Sequence, residues 1–260
     1  MPDFIFPVLF ALLIWWFSTG LILYLDSLPP RTFRWSMLGA TAVLIVALYG
    51  LATSSVHNTI AAAYLAFTSA VLVWGWLEMA FLMGFITGPR PAPAPPGATG
   101  WSRFRYATLA ILYHELSLVA GAVVVLALTW GAENQLGWWT FLTLWIMRLS
   151  AKLNLFFGVP QLNAELLPEH LQFLKSYLTK KSMNFLFPIS MIASVIAAVI
   201  VVQRIIASRD LPFESTGLTL VAAMIVLAIV EHWLMILPIP AAKLWDWRSR
   251  SSEPVKLNSL

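Results

Sequence analysis

The tetrapeptide YHEL at residues 113–116 sets His114 beside Glu115 inside an otherwise apolar run, ATLAILYHELSLVAGAVVVLAL. Three other apolar runs are interrupted in the same way. Glu78 breaks WGWLEMAFLMG, Arg148, Lys152 and Asn154 break TLWIMRLSAKLNLFF, and Glu231 with His232 breaks VLAIVEHWLMIL. Left unpaired near the centre of a membrane helix, each such charge costs about 2.5–3.5 kcal/mol. Mutual pairing in the interior of a bundle is the economical arrangement, with Glu115 and Arg148 expected in one buried network. Glu78, Glu115 and Glu231 carry three negative charges and Arg148 and Lys152 two positive ones. The remaining charge is to be met by a proton, by a protonated His114 or His232, or by a bound cation.

Two kinds of role fit such a layer. A structural one fixes helix register through polar contacts. A functional one adds a ligand. A metal suits the spacing poorly, because neighbouring positions on a helix point about 100° apart and the Glu-x-x-His spacing of di-iron bundles is absent. A tetrapyrrole such as bacteriochlorophyll asks only for one axial imidazole and a flat apolar slot. Tyr113, Trp74, Trp76, Trp145 and Trp233 lie close in sequence to the layer. His57 falls in a short turn, and His170 reads as an exposed loop residue. No Ser-His-Asp set, HExxH motif or phosphate-binding glycine loop accompanies them.

The elements that must position these groups are membrane helices. The 260 residues are 60% hydrophobic and only 11% charged, where a soluble domain carries about 25% charged residues. Runs of bilayer length predict seven spanning helices at 4–24, 33–53, 58–87, 102–130, 135–158, 184–206 and 216–238. The expected fold is all-α, a polytopic bundle forming one integral domain over 1–260. Continuous apolar runs argue against a barrel. The first run, MPDFIF onward, has no basic n-region and reads as retained rather than cleaved. The absence of cysteine excludes disulfides and thiolate chemistry.

Fourteen of the sixteen Lys and Arg fall on one side of that layout, leaving Arg204 and Arg209 on the other. The positive-inside rule then places the N-terminus outside and the C-terminus in the cytoplasm. The net charge of +4 reflects this topology rather than nucleic-acid binding. Counted from the expected cytoplasmic helix ends at 1.5 Å per residue, the ionisable groups lie roughly 10–20 Å deep.

Three cytoplasmic segments are expected: a Pro-rich linker at 88–101, a loop at 159–182 and a tail at 239–260. Within the loop, LLPEHLQFLKSYLTKK (166–181) reads as an interfacial helix opened by Pro168 and Glu169 and closed by Lys180 and Lys181. Leu171, Leu174, Tyr177 and Leu178 give it an apolar face for lipid or a partner, or else for packing as a cytoplasmic loop helix.

The stretch RLSAKLNLFFGVPQLNAELLPEHLQFLKSYLTKKSMNFLFPIS (148–190), with LYHELSLV (112–119) and EHWLMILPIP (231–240), is similar to the PuhE family. That family is described as photosynthetic-complex assembly proteins of anoxygenic phototrophic bacteria. The resemblance extends over most of the chain and is most specific in 148–190. It implies a multi-pass protein of the bacterial inner membrane, including its photosynthetic intracytoplasmic part. Its implied partners are membrane lipids, reaction-centre or light-harvesting subunits and other assembly factors. It supplies no active-site residues. Two functions follow: a non-enzymatic assembly factor, or a membrane enzyme or carrier acting on a tetrapyrrole or quinone through the His/Glu/Arg layer.

Overall fold

The computed structural model describes residues 4–162, 164 and 167–239. Among these, seven long α-helices follow in chain order: α1 (Ile5–Asp26), α2 (Phe33–Ser55), α3 (Ile60–Leu82), α4 (Gly100–Thr129), α5 (Leu136–Phe157), α6 (Leu186–Ala207) and α7 (Pro212–Leu234). Six are long and apolar enough to cross a membrane, α2 together with the short turn before it. α5 is as long as α1 but less apolar, because Arg148, Lys152 and Asn154 lie on it. The chain is therefore largely helical, as a polytopic membrane bundle requires.

The helices divide by what they face. α3 and α7 are 56% and 61% buried along their apolar windows, against 17% for α1 and α2. Small residues make this possible. Ala62, Ala63, Ala66, Ser69 and Ala70 on α3, and Thr219, Ala222 and Ala223 on α7, let neighbouring backbones approach closely. α3 touches α1, α2, α4, α5 and α7, whereas α6 leans mainly on α7. One apolar cluster joins α1, α3 and α7 around Phe67, Leu220 and Met224. A second joins α2, α3, α4 and α5 around Leu51, Leu118 and Phe141.

The two ends of the bundle are built differently. One has only short turns, at 56–59, 130–135 and 208–211. Buried Asn134 ties it together, donating to the carbonyls of Ser54 and Ala62 and accepting from the Leu136 N–H. The other end carries the long connections. There α3 stops at Leu82, five residues short of the expected 87. The apolar run continues, but Gly84 turns the chain at φ +79°. α7 likewise runs from Pro212 to Leu234 rather than 216–238, because Pro212 opens the helix and Pro238 cannot extend it.

After Gly84 the chain turns back against α4. The His114 N–H donates to the Thr87 carbonyl at 2.9 Å, and the Arg90 N–H to the Leu109 carbonyl at 3.3 Å. Gly88 passes so close that a Cβ there would lie 2.2 Å from the Leu109 carbonyl oxygen. The Pro-rich linker is thus extended, yet docked rather than loose.

Where a short interfacial helix is expected at 166–181, the described residues form a 3-10 helix, Glu169–Tyr177. With three residues per turn, Leu171, Leu174 and Tyr177 fall on one line. That line turns inward: Leu171 and Tyr177 are buried and Leu174 is half-buried. Tyr177 donates its hydroxyl to the Ala92 carbonyl and accepts from Arg90 at 2.7 Å. His170 is exposed but bonds the last carbonyl of α3, Leu82, at 2.7 Å. Leu178 is half-buried, and Lys180 and Lys181 are exposed. Leu166 and the tail from 240 onward, with Lys243, Arg248, Arg250 and Lys256, lie outside the described residues.

Candidate functional site

Glu78, four residues from the end of α3, projects between α4 and α5. Its Oε2 accepts from the Arg148 guanidinium at 3.1 Å. Its Oε1 stands 3.8 Å from His114 Nε2, too far for a hydrogen bond. His114 is fully buried, its ring stacked on Phe81 at 4.3 Å, and neither ring nitrogen has a hydrogen-bond partner. One turn along the same face of α5, Lys152 bonds Glu115 at 2.7 Å. Within the layer the direct contacts are two pairs, Glu78–Arg148 and Glu115–Lys152. The reason is spacing. Arg148 and Lys152 are four residues apart, so α5 presents two cations on one side and each meets the carboxylate at its own level.

Glu231 and His232 diverge, as adjacent helical positions must. Glu231 turns to α1, where the Trp15 indole N–H donates to it at 3.0 Å. His232 turns to α5. Its Nδ1 lies 2.8 Å from the Ala228 carbonyl, which can only accept, so Nδ1 carries the hydrogen. Nε2 then accepts from the Ser150 hydroxyl at 2.9 Å.

Asn154 is fully buried and anchors a further set of contacts. It donates to Ser190 Oγ on α6 and to the Ser150 carbonyl. Asn184 in turn donates to Asn154 Oδ1 and to the Gly158 carbonyl, while its own oxygen caps the N–H groups of Leu186 and Phe187.

Glu78, Glu231 and His232 sit near helix ends, whereas His114 and Glu115 lie midway along α4. At 1.5 Å per residue Glu78 is about 6 Å from the end of α3 and Glu231 about 5 Å from the end of α7, shallower than the sequence implied. Arg148 is about 14 Å from the end of α5. The two innermost helices stop short, and the space beyond them holds the docked segment 84–97 and the 3-10 helix. Non-helical backbone at this level is tolerated where protein buries it or it lines a water-filled cavity.

Chemically the layer offers two ion pairs, one hydroxyl–imidazole bond and one buried imidazole without a hydrogen-bond partner among the described residues. Among the described residues no three His, Asp or Glu converge on a possible metal position. Sequence reasoning missed Trp15, Ser150, Phe81, Asn184 and Ser190. Trp15 reads as a lipid anchor and the serines as neutral filler. Asn184 alone carried a signal, as an N-cap just before the apolar run of α6.

No solved structure resembles the chain. It is 39% identical over 247 residues to a Rhodobacter capsulatus protein named "Uncharacterized 30.4 kDa protein in puhA 5'region", covering 94% of this chain and 90% of the relative. Residues 1–256 match the family described as "Protein of unknown function (DUF3623)". On both counts the chain belongs to the DUF3623 family.

Proposed function

We propose that the protein is a non-enzymatic assembly factor for photosynthetic complexes, working in the inner membrane of a phototrophic bacterium. The observation that carries this reading is the relative's printed position in the puhA 5′ region, which links the chain to the photosynthesis gene cluster. The resemblance to PuhE proteins points the same way. All seven helices span in this reading, with the N-terminus outside and the long-loop end, the tail included, in the cytoplasm, as the cations demand. The partner surface is that end. Leu174 and Leu178 are half-buried at its edge, and Lys180 and Lys181 reach toward the anionic leaflet. Leu171 and Tyr177 hold the surface from within. Reaction-centre or light-harvesting subunits, or other assembly factors, are the partners.

Affinity purification of the tagged chain from photosynthetic membranes in mild detergent tests this. Recovery of photosynthetic subunits with no bound cofactor in the absorption spectrum is the expected result. A second reading, an enzyme or carrier for a tetrapyrrole or quinone, has one observation in its favour. Buried His114 has both ring nitrogens unpartnered, which is the state an axial ligand needs. A co-purifying pigment without subunits would favour it.

A further inference from the structure

The layer has three carboxylates and two cations, and the geometry shows which carboxylate is left over. Glu78 is held by Arg148 and Glu115 by Lys152. Among the described residues Glu231 has one donor, the Trp15 indole. Among the described residues, the charged groups acting on it are Arg148 on α5 and Glu78 on α3, and these two are paired with each other. Arg204 lies at the far end of α6, and His232 is turned to Ser150.

Glu231 is exposed. What it is exposed to follows from its partner. Trp15 lies midway along the apolar α1, ten residues from Ile5 and eleven from Asp26. That level in a spanning helix faces lipid chains. From Val230, beside Glu231, an open groove of about 360 Å³ runs along α7 past Val226 and Ala223, walled by Val8 and Leu12 of α1 and Ile205 of α6. Trp15 extends the same stripe of α1, three residues beyond Leu12. The groove is an apolar path whose inner end, at Val230, lies next in sequence to the one carboxylate of the layer without a salt bridge among the described residues.

We propose that Glu231 is a proton-binding carboxyl exposed to the bilayer beside the inner end of this groove. The neutral acid accepts the Trp15 N–H on one oxygen and keeps its O–H on the other, and with it the layer carries no net charge. The inference does not depend on the assembly role and survives its failure.

Dicyclohexylcarbodiimide provides the probe, since it partitions into lipid and reacts with protonated carboxyls. The acid O–H adds across one C=N bond, the proton going to nitrogen and the carboxyl oxygen to carbon. The adduct rearranges to an N-acylurea with no leaving group and no redox change. Treatment of the full chain in native membranes at about pH 7, followed by peptide mass spectrometry, should place the adduct on Glu231. Glu78 and Glu115, held as ions by their partners, should remain unmodified. A water-soluble carbodiimide should modify exposed Glu133 and Glu169 but spare Glu231. Filling the groove with Ala223→Trp should slow labelling severalfold, and Arg148→Gln should add Glu78 to the labelled sites. An unmodified Glu231, earlier labelling of Glu78 in the unaltered protein, or equal labelling of Glu231 by the water-soluble reagent would each overturn the proposal.

Discussion

At the short-loop end, helix termini are joined by turns of a few residues and satisfied by one buried amide, Asn134. The long-loop end solves the same problem with far more material. Two ion pairs, two histidines, a docked Pro-rich segment and a nine-residue 3-10 helix occupy it. A bundle needs only the first kind of end to stand. The second costs charge desolvation and loop ordering, which fits an end retained for contact or chemistry. The difference teaches where function is to be sought.

A large effect is expected on the ion layer. Arg148→Met strands Glu78, whose side chain is 10% exposed while that of Arg148 is 44% exposed, and should destabilise the fold by about 1–3 kcal/mol. Thermal unfolding in mild detergent reads this directly. A double-mutant cycle sharpens it: Glu78 with Arg148 should couple strongly, and Glu115 with Arg148 should be near additive. Coupling of the second pair as strong as the first would merge the two pairs into one network.

At the opposite end, Asn134→Leu removes the only side chain described as bridging Ser54, Ala62 and Leu136. It should cost about 1–3 kcal/mol for each buried group left without a partner that cannot relax. A neutral outcome would show that the turns hold this end unaided. Gly88→Ala tests the docked segment. Its Cβ would collide with backbone, so about 1–3 kcal/mol and faster proteolysis between residues 84 and 97 are expected. Unchanged cleavage would mean that the segment is held elsewhere. Tyr177→Phe, losing the bonds to Ala92 and Arg90, should cost about 1 kcal/mol in the same assay, and a larger loss would make Tyr177 the main clasp.

Hydropathy carried most of the fold, because apolar runs of bilayer length leave the backbone little choice but helix. It failed where apolar chain continues past a helix end. MGFITG is nearly as apolar as the helix before it, and only Gly84's left-handed backbone reveals the stop. The 3-10 helix was hidden for a related reason. Leu171, Leu174, Tyr177 and Leu178 fit the α period nearly as well as the tighter one, yet the tighter one turns the face inward. In the layer, the charged members were visible as anomalies in apolar runs, whereas their partners were not. Trp15 and Ser150 are ordinary in membrane helices, and only proximity in space gives them a role. The pairing itself depends on the relative heights of α3, α4 and α5, which no single run encodes.

The partner surface should lie on the outward edge of the long-loop end, with the buried layer supporting it. Photosynthetic-complex yield, measured at matched levels of this protein, tests that claim most directly. The double substitution Leu174→Ser with Leu178→Ser should lower the yield, while His114→Ala should leave it unchanged whenever the protein accumulates normally. Leu171 is left intact, since its burial would confound the result. Harmless leucine changes beside a His114→Ala variant that accumulates but loses the effect would contradict the assembly account and move function into the layer.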